Sequence, residues 1–157
     1  MTSDPQEGQK KPILSGPYVK TALFCERVLD EKDGVLSLVR VVDQFTVSAS
    51  GPAAPKQMPP ISQRLQAVIM LISGTAKGPE DVKLEVEKPN GMREEVWTGT
   101  AHMEGDHKSV NLVFNFQAAF ELTGVYWFSV FVGEELLTRM PLEIRYTRFS
   151  AGTASKA

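Results

Sequence analysis

Turn signals cut this chain into short runs of β-branched and aromatic residues, and that punctuation constrains its fold more than any other feature. Asp33-Gly34, Pro89-Asn90-Gly91, Gly105-Asp106 and Gly133-Glu-Glu135 each fall between apolar runs, which is how β-hairpins are written in sequence. The clearest case is the last. Gly124-Val-Tyr-Trp-Phe-Ser-Val-Phe-Val132 leads into the Gly-led connection, and a second apolar run follows from Leu136 to Tyr146. Side chains alternate across a strand, so Val125, Trp127 and Phe131 point one way and Tyr126, Phe128, Val130 and Val132 the other. A strand that is apolar on both faces is normally covered on both.

The same reading extends along the chain. Residues 1–17 are rich in Pro, Gly, Gln, Lys and Ser and are expected to be a flexible tail. Tyr18 to Glu26 is the first strand, with Val19, Leu23 and Cys25 on one face and Ala22 and Phe24 on the other. Val35 to Val47 reads as one long strand that pairs back on it. Residues 48–62 carry Pro52, Pro55, Pro59 and Pro60 and read as a long loop. Arg64 to Ser73 returns to strand. Asp81 to Lys88 alternates Val82, Leu84 and Val86 against Lys83, Glu85 and Glu87, so one of its faces is solvated.

Met92 to Met103 and Val110 to Phe116 add two more strands, a short helical turn is expected near Gln117–Leu122, and residues 148–157 form a second tail. Seven to eight strands spaced ten to twelve residues apart, with no helical periodicity between them, predict an all-β fold. The expected architecture is an antiparallel two-sheet sandwich, immunoglobulin-like, over residues 18–147.

Composition removes several function classes. The chain has 157 residues, 42% hydrophobic and 23% charged, as one soluble domain would. A formal charge of −2 argues against a nucleic-acid partner, which calls for a basic stripe. The apolar runs are too short for a membrane-spanning helix, so no membrane partner is expected. The polar Met1-Thr-Ser-Asp-Pro-Gln-Glu-Gly8 start is unlike a secretory signal, and Cys25 has no second cysteine to pair with. A cytoplasmic location is the expectation.

Candidate chemistry is sparse. His102, Glu104 and His107 could converge on a metal if Gly105-Asp106 is a two-residue turn that sets Glu104 opposite His107; the competing reading is a solvated hairpin tip. Cys25 sits beside Phe24 in an apolar run, as a small core side chain does. No nucleophile-elbow, phosphate-binding or dinucleotide-binding pattern occurs, so no catalytic residue, metal ligand or cofactor is assigned. Pro52-Ala-Ala-Pro55 is a minimal polyproline pattern, with Met58 as a small anchor. Hydrophobic surface is in surplus. If Val35–Val42, Val68–Ile72 and Val125–Val132 share a sheet, its outer face holds an apolar patch that something must cover.

Ala22-Leu-Phe-Cys-Glu26, Asp33-Gly-Val-Leu-Ser-Leu-Val-Arg-Val-Val-Asp43, Gly124-Val-Tyr-Trp-Phe128 and Glu135-Leu-Leu-Thr-Arg-Met-Pro-Leu142 together resemble a family of short bacterial proteins catalogued only as a domain of unknown function. The resemblance implies a small β-sandwich and supplies no activity. The expected role is a non-catalytic protein-interaction or self-association domain, with Tyr126, Trp127, Phe128 and Met58 as its surface. A small-ligand-binding domain and a metal-dependent enzyme are the alternatives.

Overall fold

The computed structural model describes residues 15–149, and every regular element within them is a strand. The nine are β1 (Tyr18–Asp30), β2 (Leu36–Val42), β3 (Gln44–Ser50), β4 (Ile61–Ile72), β5 (Lys77–Glu87), β6 (Arg93–Glu104), β7 (Ser109–Phe120), β8 (Gly124–Val132) and β9 (Glu135–Phe149). They form a four-stranded sheet, β2-β1-β4-β7, and a five-stranded sheet, β3-β9-β8-β5-β6. The proposed tails fall largely on residues 1–14 and 150–157, which lie outside the described residues. Ser15 is held in place: its carbonyl accepts hydrogen bonds from the Thr75 amide (3.3 Å) and hydroxyl (2.9 Å).

Alternation builds the core. Leu65, Ala67, Ile69 and Leu71 of β4, Val82, Leu84 and Val86 of β5, and Tyr126, Phe128, Val130 and Val132 of β8 all join one buried cluster drawn from both sheets. Each of the valine, leucine, isoleucine and phenylalanine side chains among them contributes roughly 1.5–3 kcal/mol by leaving water. The two sheets meet at Phe24 of β1, whose ring lies edge-on to Phe128 of β8 at 4.8 Å. Phe116 of β7 completes the group, 5.3 Å from Phe24 and 5.8 Å from Phe128. On β5 the facing set, Lys83, Glu85 and Glu87, points away from this core, as the alternation requires.

Four expectations fail. The single strand Val35–Val47 is two strands in different sheets. β2 pairs antiparallel with β1; at Asp43 the chain crosses over, the Asp43 carbonyl accepts the Glu143 amide at 2.9 Å, and β3 runs parallel to β9. Val42, Phe45 and Val47 all pack on the core, so the period of two is broken at Asp43. This brings the strand number to nine and makes one pairing parallel.

The second failure is in β1. A bulge between Val19 and Thr21 shifts the register, so Val19 packs on the core with Ala22 and Phe24 rather than facing away with Cys25. Third, the Pro-rich loop is shorter than 48–62, because Ser48–Ser50 belong to β3 and Ile61 and Ser62 to β4. Fourth, Gln117–Phe120 is not helical. These residues complete β7, paired with Ile61–Arg64 across the sheet, and that pairing overrides local preference.

Phe128→Ala removes a ring touching both other phenylalanines and is expected to cost about 3–5 kcal/mol in denaturant unfolding. The Phe24→Ala, Phe128→Ala double variant should lose less than the sum of the two single losses, since each substitution removes the same contact.

Candidate functional site

Burial separates the two faces of β8. Tyr126 and Phe128 are each 2% exposed, whereas Trp127 and Val125 are each 37% exposed. Of the expected interaction residues, therefore, only Trp127 stands at the surface. Tyr126 and Phe128 belong to the core, and Met58, 7% exposed, is folded down from the 51–60 loop onto the same core. The three apolar segments suspected of sharing a sheet do not. Val35–Val42 and Val68–Ile72 run in the four-stranded sheet and Val125–Val132 in the other, so the surplus is divided between two outer faces.

The outer face of the five-stranded sheet gathers aromatic side chains and ions. The Arg139 guanidinium lies 4.7 Å from the Trp127 ring centre, and the Lys83 ammonium 4.8 Å from that of Phe131. Lys83 also pairs with Glu85 at 2.6 Å, and that hydrogen bond raises the Lys83 pKa. Glu87 accepts from Arg93 at 2.9 and 3.0 Å and faces Arg139 at 3.8 Å. At the far end Arg145 donates twice to Glu143, which holds that carboxyl below its usual range. Leu136, 48% exposed and paired in register with Phe131, extends the apolar strip. Cations stacked on rings, ringed by carboxylates, are contact chemistry of the kind protein surfaces use to recognise one another.

The His102, Glu104, His107 trio does not assemble. Gly105, Asp106 and His107 all adopt positive φ (71°, 50° and 56°), so the β6–β7 connection is a wider turn than two residues. The His107 amide is spent on the Gly74 carbonyl at 3.0 Å, and Glu104 pairs with Lys108 at 3.4 Å. Among the described residues no three His, Cys, Asp or Glu side chains are placed to hold a metal ion. Cys25 is fully buried, and desolvation pushes its thiol pKa up. Thiolate chemistry is suppressed there.

A cleft opens on the side of the molecule where β6 and β7, the last strands of their sheets, lie across from each other. It holds about 530 Å³ and is floored by the inward faces of β5, β7 and β8. The inward alternation of β7 is visible in the sequence. Its edge position is not, because that follows from which strands pair. Among the described residues no helix is long and apolar enough to cross a membrane.

The sequence pattern of a family of unknown function (DUF6941) matches residues 20–145. The chain belongs to that family. The DUF6941 match covers every strand except the ends of β1 and β9. No curated protein matches the chain. Among solved structures it is similar to part of the alkylpurine DNA glycosylase AlkC of Pseudomonas fluorescens (11% identity, TM-score 0.39, covering 79% of this chain and 30% of that one). It is similar also to part of a β-glucosidase of Listeria innocua (10%, 0.43, 79% and 16%). A third likeness is to an immunoglobulin-like protein of Pseudomonas aeruginosa (13%, 0.38, 85% and 99%). This DUF6941 chain thus spans less than a third of the first two proteins.

One partly buried polar contact lies at the end of the cleft. The Tyr126 hydroxyl donates to the Leu122 carbonyl at 2.9 Å and accepts the Leu122 amide at 3.1 Å. Tyr126→Phe leaves both backbone groups without that partner and is expected to lower unfolding stability by about 1–2 kcal/mol. Hydrogen exchange should show faster opening at the Leu122 amide than in the wild-type chain.

Proposed function

We propose that this chain is a non-catalytic, immunoglobulin-like β-sandwich that associates with a second copy of itself through the outer face of its five-stranded sheet. Two features support the sandwich reading. β9-β8-β5 are neighbours in one sheet and β4-β7 in the other, with β4 leading to β5 and β7 to β8 by crossing between sheets. Tyr126, near the start of β8, bonds back to Leu122 at the corner between sheets, as the corner tyrosine of immunoglobulin-type sandwiches does.

The observation that carries the interaction reading is Trp127, half-exposed under a guanidinium and bordered by both signs of charge. Tryptophan and arginine are the side chains on which binding energy concentrates at interfaces. A two-fold contact sets one patch against itself, so the patch must complement its own charges. Lys83, Arg93, Arg139 and Arg145 interleaved with Glu85, Glu87 and Glu143 meet that condition.

Sedimentation equilibrium tests it. The wild-type chain should reach a dimer with rising concentration, and Trp127→Asp should remain monomeric with an unchanged far-ultraviolet spectrum and thermal midpoint. A wild-type chain that stays monomeric at its highest soluble concentration sinks the reading.

A further inference from the structure

The lateral cleft is a second surface, separate from the Trp127 face and independent of the self-association reading. Trp97 of β6 stacks on Phe114 of β7 with ring centres 4.3 Å apart and planes within 4° of parallel. This stack closes the side of the molecule midway along both strands. Towards the Pro89-Asn90-Gly91 turn, the start of β6 and the end of β7 line the cleft. Its floor is apolar, formed by Val86, Phe116, Phe120 and Phe128, and Leu122 and Met92 stand at its lip. Met92 is 61% exposed, a large apolar side chain in water beside an apolar hollow.

Two further observations define what would fit. The first is the edge itself. β7 has a strand neighbour on one side only, and its twelve residues include no charged residue and no proline. Edge strands are ordinarily blunted with charge, proline or a bulge, because their unpaired N–H and C=O groups accept another strand. β6 is blunted: it carries Arg93, Glu94 and Glu95, and its register with β5 is interrupted by a bulge. β7 is left receptive.

The second observation is charge. Glu94, Glu95 and Glu121 line the cleft against one cation, Lys88, and Glu94 already pairs with that cation at 3.1 Å. Glu121 is exposed and has no ionic partner among the described residues.

We propose that this cleft binds an extended peptide bearing basic side chains, added as a strand along the free edge of β7. Main-chain hydrogen bonds to β7 would supply sequence-independent affinity. The side chains on one face of an added strand enter the cleft, where apolar ones reach the floor and a Lys or Arg among them meets the carboxylates of the lip.

The test selects a random peptide library displayed on phage against the immobilised full chain, then titrates labelled winners by fluorescence anisotropy. Enriched peptides should carry apolar residues and Lys or Arg together on one every-second-residue register. Their binding should weaken about tenfold or more in Met92→Asp and in the Glu94→Lys, Glu121→Lys double variant. All three positions are exposed, so these variants should keep the wild-type far-ultraviolet spectrum. Bound peptide should slow hydrogen exchange along β7. Trp127→Asp should leave peptide affinity unchanged, which keeps this outcome separate from that of the dimer experiment.

The proposal is overturned if no peptide is enriched, if the winners lack basic residues, or if both cleft variants bind as the wild type does. Protection that appears on another strand overturns it too. So does protection of β7 that grows with protein concentration in the absence of peptide, which would identify a second copy as the occupant.

Discussion

The contact between Phe24 and Phe128 is the constraint from which the rest of the molecule follows. One ring belongs to the four-stranded sheet and the other to the five-stranded sheet, and at 4.8 Å edge-on they pin the two layers together. Once Phe128 faces inward, the parity of β8 is settled: Tyr126, Val130 and Val132 go inside with it and Trp127 is turned out. The position of Phe116 against the same two rings then sets β7 beside the core, with its far edge open. Both candidate surfaces descend from this packing. A strand apolar on both faces has to choose one for the core, and the aromatic cluster makes the choice.

Strand identity was legible wherever the period of two held. Val82, Leu84 and Val86 announce their inward face, and Val110, Leu112, Phe114 and Phe116 do the same against Asn111 and Asn115. The crossing at Asp43 was not legible. Eight of the thirteen residues from Val35 to Val47 are apolar and they fall on both faces of the run, so a skipped position inside it alters no local pattern. The partner that redirects it, Glu143, lies far down the chain, and the hydrogen bond its amide donates to the Asp43 carbonyl is a tertiary fact. The bulge after Val19 was hidden for the same reason.

The surfaces were harder to read than the strands. Trp127 could be nominated from sequence, but only together with Tyr126 and Phe128, because alternation gives two sets and no sign. Met58 looked like an exposed anchor among prolines and is instead a plug over the core. The supposed metal trio failed on turn geometry, since three successive positive φ angles replaced the tight hairpin that would have aligned His107 with Glu104. The cleft left no trace in any local pattern. Met92 and Glu94 come from the β5–β6 turn and the start of β6, Glu121 and Leu122 from the β7–β8 connection, and only the pairing of the strands brings them together. Outward charges behave differently on the two surfaces. Around Trp127 they neutralise one another in pairs, whereas at the cleft carboxylates outnumber cations.

The parallel pairing of β3 with β9 bears on the order in which the chain can fold. Gln44 meets Glu143 and Ser50 meets Phe149, partners about a hundred residues apart. Closing so long a loop is slow and entropically costly, so this ladder is among the last to form. During synthesis β3 must wait, with Phe45 and Val47 uncovered, until nearly the whole described chain has emerged. β9 arrives already templated by its hairpin with β8 and can dock as a unit. The four-stranded sheet lacks this dependence on the C-terminus, since its last strand ends at Phe120. The nascent protein therefore passes through a stage in which one layer can pair all its strands while the other waits for its final hairpin, and a chain cut short before β9 would remain in that half-built state.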